Sequence, residues 1–340
     1  MFDMKLSEIV SASQGVLIQG ILDKPIGAVC TDTRTIKENT LFIPLKGENF
    51  DGHQFIKEAL EKGAIGFVTE KWSEKFKSYL DRLLNEKIIV IKVEDSLKAL
   101  QGLARYVRSK LPIEVVGITG STGKTCTKDM ITSILMKNLK VVSTEKNYNN
   151  EIGVPLTLLS ADEKTEVMVI EMAMRVSGQI RELAEIAKPT VGLVTNIGES
   201  HYEMLGSSMK IAKTKRELVE SIPYDGKVIL NLDDNRFKML ARGSKAKIVT
   251  FGFSRWANYF PVNIRIDASG FYSFEMMTPK SSILINLPVV GKHNIYNALA
   301  ASAAAVELGV SPDNIKVGLE TCQLSEMRTQ LLTTPDGIVV

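Results

Sequence analysis

The feature that most narrows what this chain can fold into is a short glycine-rich segment. Gly117-Ile118-Thr119-Gly120-Ser121-Thr122-Gly123-Lys124-Thr125 follows an apolar run that begins at Val115 and precedes a stretch of helical character. A strand that passes through a glycine turn into a helix aims several backbone N–H groups at one point, and the helix N-terminus adds partial positive charge there. Such a turn cradles phosphate. Lys124 brings a full charge to the β/γ-phosphates, and the Thr125 hydroxyl is suited to Mg²⁺. Gly120, Ser121, Thr122, Gly123, Lys124, Thr125 and Cys126 are the expected nucleotide-binding residues. The competing explanation is a glycine turn that happens to precede a basic helix. The usual spacing puts the first glycine at position 118; here it stands one residue earlier, at Gly117.

A phosphate loop needs a buried parallel sheet behind it, and the flanking sequence supplies the strands. Val115–Ile118, Val141–Ser143, Val167–Glu171, Val191–Thr195, Val228–Leu230 and Ile248–Phe251 are mostly continuous apolar runs, as in strands covered on both faces. Helical segments between them predict a doubly wound α/β sheet. Residues 259 to 286 alternate and predict antiparallel hairpins. Asn294–Leu308 reads as an Ala-rich helix, and Ser311-Pro312 as the start of another. Residues 1 to about 110 read as a separate small α/β unit. Its strands are expected at Thr40–Leu45 and Ile88–Val93, with a helix over Phe55–Lys62 ending at Gly63 and a connecting helix over Ser96–Lys110 stopped by Pro112.

Composition excludes other classes. The charge balance, 42 basic against 39 acidic residues, gives no electrostatic case for nucleic acid, which usually needs a clustered basic surface. No apolar run reaches the roughly 20 residues of a membrane helix, so no membrane insertion is expected. The N-terminus alternates apolar and charged residues, unlike a signal peptide. Cys30, Cys126 and Cys322 are distant and odd in number, which fits a reducing cytoplasm.

The shifted glycine spacing resembles the Mur ligase superfamily, and further segments agree. Asn147-Tyr148-Asn149-Asn150-Glu151-Ile152-Gly153-Val154-Pro155 is similar to the substrate loop of one branch. Glu171-Met172-Ala173-Met174 and Asn196-Ile197-Gly198-Glu199-Ser200-His201 resemble two more of its segments. Gly291-Lys292-His293-Asn294-Ile295-Tyr296-Asn297-Ala298 resembles the lining of its adenine site. The branch joins D-alanyl-D-alanine to UDP-N-acetylmuramoyl-tripeptide in peptidoglycan precursor synthesis. Thr31-Asp32-Thr33-Arg34 and Lys46-Gly47-Glu48-Asn49-Phe50-Asp51-Gly52-His53 resemble its UDP-sugar segments. Two departures stand out: the family commonly has glycine where Lys146 and Ala173 stand.

The resemblance implies an ATP- and Mg²⁺-dependent ligase, a monomer, that activates a carboxylate as an acyl phosphate. It implies substrate contacts at Thr31, Asp32, Thr33, Arg34, Lys46, Gly47, Asp51, Gly52, His53, Asn147, Asn149 and Asn150. Thr125, Glu171 and His201 would hold metal; a strand-end carboxylate in a surface pair and a plain loop histidine are the alternatives. Lys215 matches a lysine that relatives carbamylate into an anionic oxygen ligand. A solvated basic helix face is the alternative there, and Lys213 is the competitor two residues earlier. Asn294 and Asn297 would contact adenine, since an amide both donates and accepts; N-capping of the Ala-rich helix is the alternative for Asn294, and the two roles can coexist. Arg328 would reach the γ-phosphate, or form an interdomain salt bridge.

The expected organisation is 1–110 for UDP-sugar-peptide binding, 111–328 for ATP, and 329–340 as the start of a third domain absent from these residues. Gly337-Ile338-Val339-Val340 reads as the opening of a strand, where a globular domain rarely stops. This chain alone is therefore not expected to complete ligation. The alternatives are another superfamily ligase (an adder of the third amino acid, or a folylpolyglutamate synthase-like enzyme) and a non-catalytic nucleotide or UDP-sugar binder.

Overall fold

The computed structural model describes residues 2–20, 26–47, 50–73, 76–78, 87–198 and 207–325. The chain forms two compact units: Met1–Pro112 with Glu151–Lys164, and Ile113–Asn150 with the chain from Thr165 onward.

The first unit begins with α1 (Leu6–Ala12), β1 (Val16–Gln19), β2 (Ala28–Cys30) and β3 (Thr40–Phe42). A two-stranded ribbon, β4 (Lys46–Gly47) and β5 (Phe50–Asp51), leads to a 3₁₀ turn over Gly52–Phe55 and then to α2 (Ile56–Glu61). The helix expected over Phe55–Lys62 is thus shorter, because Asp51 first draws the chain into the tighter turn by accepting from His53 N (3.1 Å). Gly63 follows with φ +96°, as a helix-ending glycine should. After β6 (Gly66–Thr69) and β7 (Ile89–Lys92), α3 (Ser96–Lys110) starts where the Asp95 side chain accepts from Lys98 N. The sheet order is β1-β7-β6-β3-β2, with β1 antiparallel and the rest parallel. Phe42, Ile56, Phe67 and Val90 form its core. The strand expected over Thr40–Leu45 stops at Phe42, just before Pro44, which has no N–H to give a ladder.

The second unit opens with β8 (Glu114–Thr119), α4 (Lys124–Leu135) and β9 (Val141–Ser143). The chain then visits the first unit, where α5 (Gly153–Leu159) packs on α3. It returns as β10 (Val167–Glu171), α6 (Gln179–Ala187), β11 (Val191–Val194), α7 (Ser208–Ser221), β12 (Lys227–Asn231), α8 (Phe237–Ala241) and β13 (Lys247–Phe251). These strands make a six-stranded, wholly parallel sheet, β13-β12-β11-β8-β10-β9. The continuous apolar runs are its buried strands, as the sequence predicted. An antiparallel sheet follows, β14 (Phe260–Ile266), β15 (Phe271–Met277) and β16 (Ser282–Val290), then α9 (His293–Glu307) and α10 (Pro312–Glu320). Ser311 caps α10 as expected, accepting from Asn314 N. One core joins Ile118, Ile131, Val169 and Leu193 with Phe274, Ile285 and Leu299. Among the described residues no helix is long and apolar enough to cross a membrane.

Strand order reverses beside β8: the chain moves outward to β9, back to β10, then across to β11. Crevices at the C-terminal ends of strands around such a reversal are where open α/β sheets bind ligands. The phosphate loop leaves β8 at that place.

Candidate active site

The loop between β8 and α4 is shaped by two glycines. Gly120 has φ +153° and Gly123 φ +78°. A Cβ on Gly120 would lie 1.8 Å from Thr195 Oγ1, and one on Gly123 2.5 Å from Asn297 Oδ1. Neither site tolerates a side chain. The segment after β11 holds the loop from outside. Thr195 Oγ1 donates to Thr122 O (2.6 Å), Ser121 N donates to Asn196 O (3.0 Å), and Thr122 N donates to Asn196 Oδ1 (3.1 Å). Gly198 N donates to Ser121 Oγ (2.8 Å). Lys124 Nζ bends back over the loop to Gly120 O (2.9 Å) and Ser121 O (3.4 Å), which keeps its charge at the loop's mouth.

Glu171, at the end of β10, is the hub on the other side. It is 3% exposed, so a surface pair is ruled out. The Thr125 hydroxyl donates to its Oε2 (2.9 Å), Asn149 Nδ2 donates to its Oε1 (2.9 Å), and its own N–H donates to Thr144 Oγ1 (3.0 Å). A hydroxyl and a carboxylate side by side are oxygen ligands of the kind Mg²⁺ takes, with waters and phosphate oxygens completing its shell. The residues present therefore fit that ion. The Asn-rich loop returns to the sheet here, as Ala173 N donates to Asn149 O (2.8 Å). Asn147 O accepts from Asn149 N (2.8 Å), tightening the turn, and Asn150 is exposed. Lys146, where relatives commonly have glycine, has φ +48°. That is the left-handed region, which explains the preference.

Lys215 lies on the inner face of α7, 2% exposed, while Lys213 is exposed. The solvated-face explanation fails for Lys215 and holds for Lys213. Burial, and then the positive charge of Lys124, lower the Lys215 pKa to about 7. A good share of its amine is thus neutral and nucleophilic near neutral pH.

A cavity of about 600 Å³ adjoins the loop. Thr122, Gly123 and Cys126 form one wall; Thr195, Asn196, Asn231 and Phe251 close the strand ends; His293, Tyr296, Asn297 and Ala300 come from α9. Asn297 lies in the wall, whereas Asn294 lies behind it. Asn297 Nδ2 donates to Asn294 Oδ1 (2.8 Å), and Asn294 Nδ2 donates to Val290 O (2.8 Å). Asn294 therefore orients Asn297. It does not cap the helix, which starts one residue earlier with Lys292 as its cap. Sequence reading did not single out Asn231 or Phe251, and it gave Tyr296 no role of its own within the segment that resembles the adenine lining. Asn231 and Phe251 end strands of the sheet, and that position was the available signal.

In the first unit β2 and β3 run parallel, so their C-terminal ends deliver the 31–35 and 43–47 segments to one sheet edge. Arg34 Nη2 pairs with Asp32 Oδ2 (2.5 Å), which holds the Asp32 carboxyl at about 2. Thr33 Oγ1 donates to Glu58 Oε1 (2.9 Å), and Lys62 Nζ reaches the same oxygen (2.6 Å). Thr31 is half-buried and Lys46 and Gly47 are exposed. Gly52 is obligatory, since a Cβ would sit 2.7 Å from Leu45 O. His53 is buried, with Nδ1 on Asp51 Oδ1 (2.7 Å) and Nε2 accepting from Glu70 N (3.2 Å). Both ring nitrogens are engaged, so His53 braces the segment. Lys71 Nζ pairs with Asp51 Oδ2 (2.6 Å), and this bond above all holds the Asp51 carboxyl far below the usual range. Glu48, Asn49, His201, Arg328 and the 329–340 segment lie outside the described residues.

The chain matches two families: the Mur ligase middle domain over residues 118–305 and the Mur ligase family, catalytic domain, over residues 25–108. It is 37% identical over 330 residues to the UDP-N-acetylmuramoyl-tripeptide–D-alanyl-D-alanine ligase of Bacillus subtilis (strain 168), covering 95% of this chain and 69% of that one. Its fold superposes on a crystal structure of MurF from Acinetobacter baumannii with TM-score 0.88 at 29% identity, covering 98% of this chain and 71% of that one. MurF ligase from Thermotoga maritima in complex with ADP superposes with TM-score 0.78 at 27% identity, covering 91% and 69%.

Proposed function

Because the chain belongs to the Mur ligase family, we propose that it is the member that joins D-alanyl-D-alanine to UDP-N-acetylmuramoyl-tripeptide with ATP. The observation that carries this reading is the hub at Glu171. Its carboxylate receives the Thr125 hydroxyl from the phosphate loop and the Asn149 amide from the Asn-rich loop, so the two substrates' segments meet on one residue.

Amide formation starts from a carboxylate, a poor electrophile. A carboxylate oxygen attacks the γ-phosphorus and ADP departs. The amine nitrogen then attacks the acyl phosphate, inorganic phosphate leaves, and the amine loses a proton. Two anions must first approach each other, so charge neutralisation and positioning dominate the first step. The backbone N–H groups of 120–124 and the Lys124 ammonium hold the phosphates. Thr125 and Glu171 would hold Mg²⁺, which offsets phosphate charge when bound. Asn297, oriented by Asn294, reads adenine in the 600 Å³ cavity. Lys215, with a pKa of about 7, is the amine suited to carbamylation, which would replace a cation beside Lys124 with an anionic oxygen. The first unit binds the UDP-muramoyl part through the 31–34 and 46–53 segments, and Asn147, Asn149 and Asn150 meet the peptide.

The test is phosphate release from ATP with and without UDP-N-acetylmuramoyl-tripeptide, followed by mass spectrometry of the product once D-alanyl-D-alanine is added. Phosphate release that ignores the muramoyl peptide would overturn the reading, and ATP binding with no phosphate release at all would favour a non-catalytic nucleotide binder.

A further inference from the structure

The phosphate-loop helix carries a second, buried charge system that the reaction above does not use. Lys128 and Asp129 are consecutive in α4, and neighbours on a helix project roughly 100° apart. Their side chains meet nonetheless. Lys128 Nζ lies 2.8 Å from Asp129 Oδ1, with only 7% and 10% of the two side chains exposed. Lys128 Nζ also donates to Thr144 O (2.9 Å). Asp129 accepts from Ser325 N (2.8 Å) and Ser325 Oγ (3.1 Å).

Thr144 is the residue from which the 145–150 loop departs. Its N–H donates to Val169 O (3.0 Å) and its Oγ1 accepts from Glu171 N (3.0 Å). With Lys128 on its carbonyl, every polar group of Thr144 is engaged. The loop passes through the left-handed Lys146 and returns at Asn149, which is tied to Glu171 and Ala173. It is suspended between two fixed ends, one on Lys128 and the other on Glu171.

A buried ion pair contributes little net stability, because desolvation offsets the attraction, and apolar residues of similar volume often serve as well. An ammonium on a carbonyl oxygen gives direction: the bond is short, charge-assisted and placed by the helix. Lys128 is not among the residues lining the 600 Å³ cavity. We propose that Lys128 is a positioning residue for the substrate step: it fixes Thr144, and so the asparagine loop, relative to the phosphate-loop helix, while Asp129 steadies the ammonium and ties Ser325 to the same helix. The assignment of the loop to the muramoyl peptide rests on the function proposed above.

The test uses the natural full-length protein with two variants, Lys128→Met and the paired Lys128→Met/Asp129→Leu. The paired variant leaves no uncompensated charge, so it guards against simple misfolding. Amide exchange of residues 144–150 is followed by mass spectrometry with ADP bound, beside ADP affinity and the KM for UDP-N-acetylmuramoyl-tripeptide. Both variants are expected to exchange at least tenfold faster in the loop. The KM for the muramoyl peptide should rise tenfold or more, with ADP affinity within twofold of wild type. Wild-type exchange and wild-type KM in a folded paired variant would overturn the proposal and reduce the pair to internal charge balance. Loss of ADP affinity in step with the KM change would also overturn it, placing Lys128 in the nucleotide site. If wild type uses no ATP in response to the muramoyl peptide, the ligase reading fails, and loop exchange alone still decides whether Lys128 positions the loop.

Discussion

At the phosphate loop of the second unit, backbone groups and neutral side chains do most of the shaping. Gly120 and Gly123 take positive φ, and Thr195 and Asn196 hold the loop. At the sheet edge of the first unit the polar residues are charged and engage one another: Arg34 with Asp32, Lys62 with Glu58, Lys71 with Asp51. The difference teaches that the two regions present charge in different ways. The first is a cradle built by backbone geometry. The second holds its cations in exposed ion pairs, and under the function proposed above Arg34 and Lys62 would share their carboxylate partners with a phosphate.

If that contrast is right, Lys124→Ala should have the largest effect. Ligation should fall by on the order of a thousandfold or more, and ADP binding should weaken sharply. The melting temperature should barely change, since the ammonium rests on loop carbonyls and not in the core. Calorimetric titration with ADP and a thermal scan check both halves. Retained turnover would break the comparison at its stronger side.

Lys215→Met is next, and its sign depends on pH. The folded pKa is about 7 against 10.5 for the ordinary value. Between these pH values the unfolded chain binds the extra proton, so wild-type stability rises with pH from about 7 toward 10. Below 7 the protein bears the full cost of a buried cation. The methionine variant should therefore be more stable than wild type at pH 6, by a few kcal/mol (~2–4), with the advantage shrinking as pH approaches 10. Denaturant melts at several pH values in CO₂-depleted buffer measure this. An advantage that grows with pH would contradict the buried-cation assignment.

Asp32→Asn probes the other side of the comparison. The pair it breaks is largely exposed, so stability should change by under about 1 kcal/mol. Affinity for a UDP-sugar should still fall by on the order of tenfold, because Arg34 loses its orienting partner. Fluorescence or calorimetric titration decides; unchanged affinity would detach Arg34 from ligand binding. Smallest is Lys146→Gly, which relieves a left-handed backbone and should stabilise by roughly 0.5–1 kcal/mol. A chemical melt of that variant would show it, and destabilisation would mean the side chain contributes packing that outweighs its φ.

The same contrast explains what the sequence revealed. The phosphate loop was legible because its geometry dictates residue type: glycine at positive φ, an apolar run for a doubly covered strand, a lysine at the helix start. The six parallel strands and the antiparallel hairpins were legible for the same reason. In the first unit β1, β2 and β6 span three or four residues each and were not singled out; β3 and β7 are equally short, but longer apolar runs over Thr40–Leu45 and Ile88–Val93 gave them away. The separate places of Asn294 and Asn297 were not legible, because sequence shows only that an amide is present, and both amides lie in the same helical turn. The tie between Thr33 and Glu58 joins residues that no local pattern connects. The tie of the Tyr296 hydroxyl to Asp233 (3.0 Å) was hidden for the same reason.

The first unit is not one continuous stretch of chain, and this has a consequence for how the protein is made. Residues 151–164 complete it after the chain has already laid down β8, α4 and β9. Val154 and Leu158 in α5, and Leu100, Leu103 and Val107 in α3, are all buried. Phe2 N donates to Ala161 O (2.7 Å), so even the N-terminus awaits that return. On the ribosome, a nascent chain ending at Pro112 carries an unfinished apolar surface until about fifty more residues follow. At about 5–20 residues per second that interval lasts seconds. Through it, the oldest part of the polypeptide is the part most open to chaperones, proteases and mispairing, and a stop codon or protease cut at residue 112 would leave it in that state permanently.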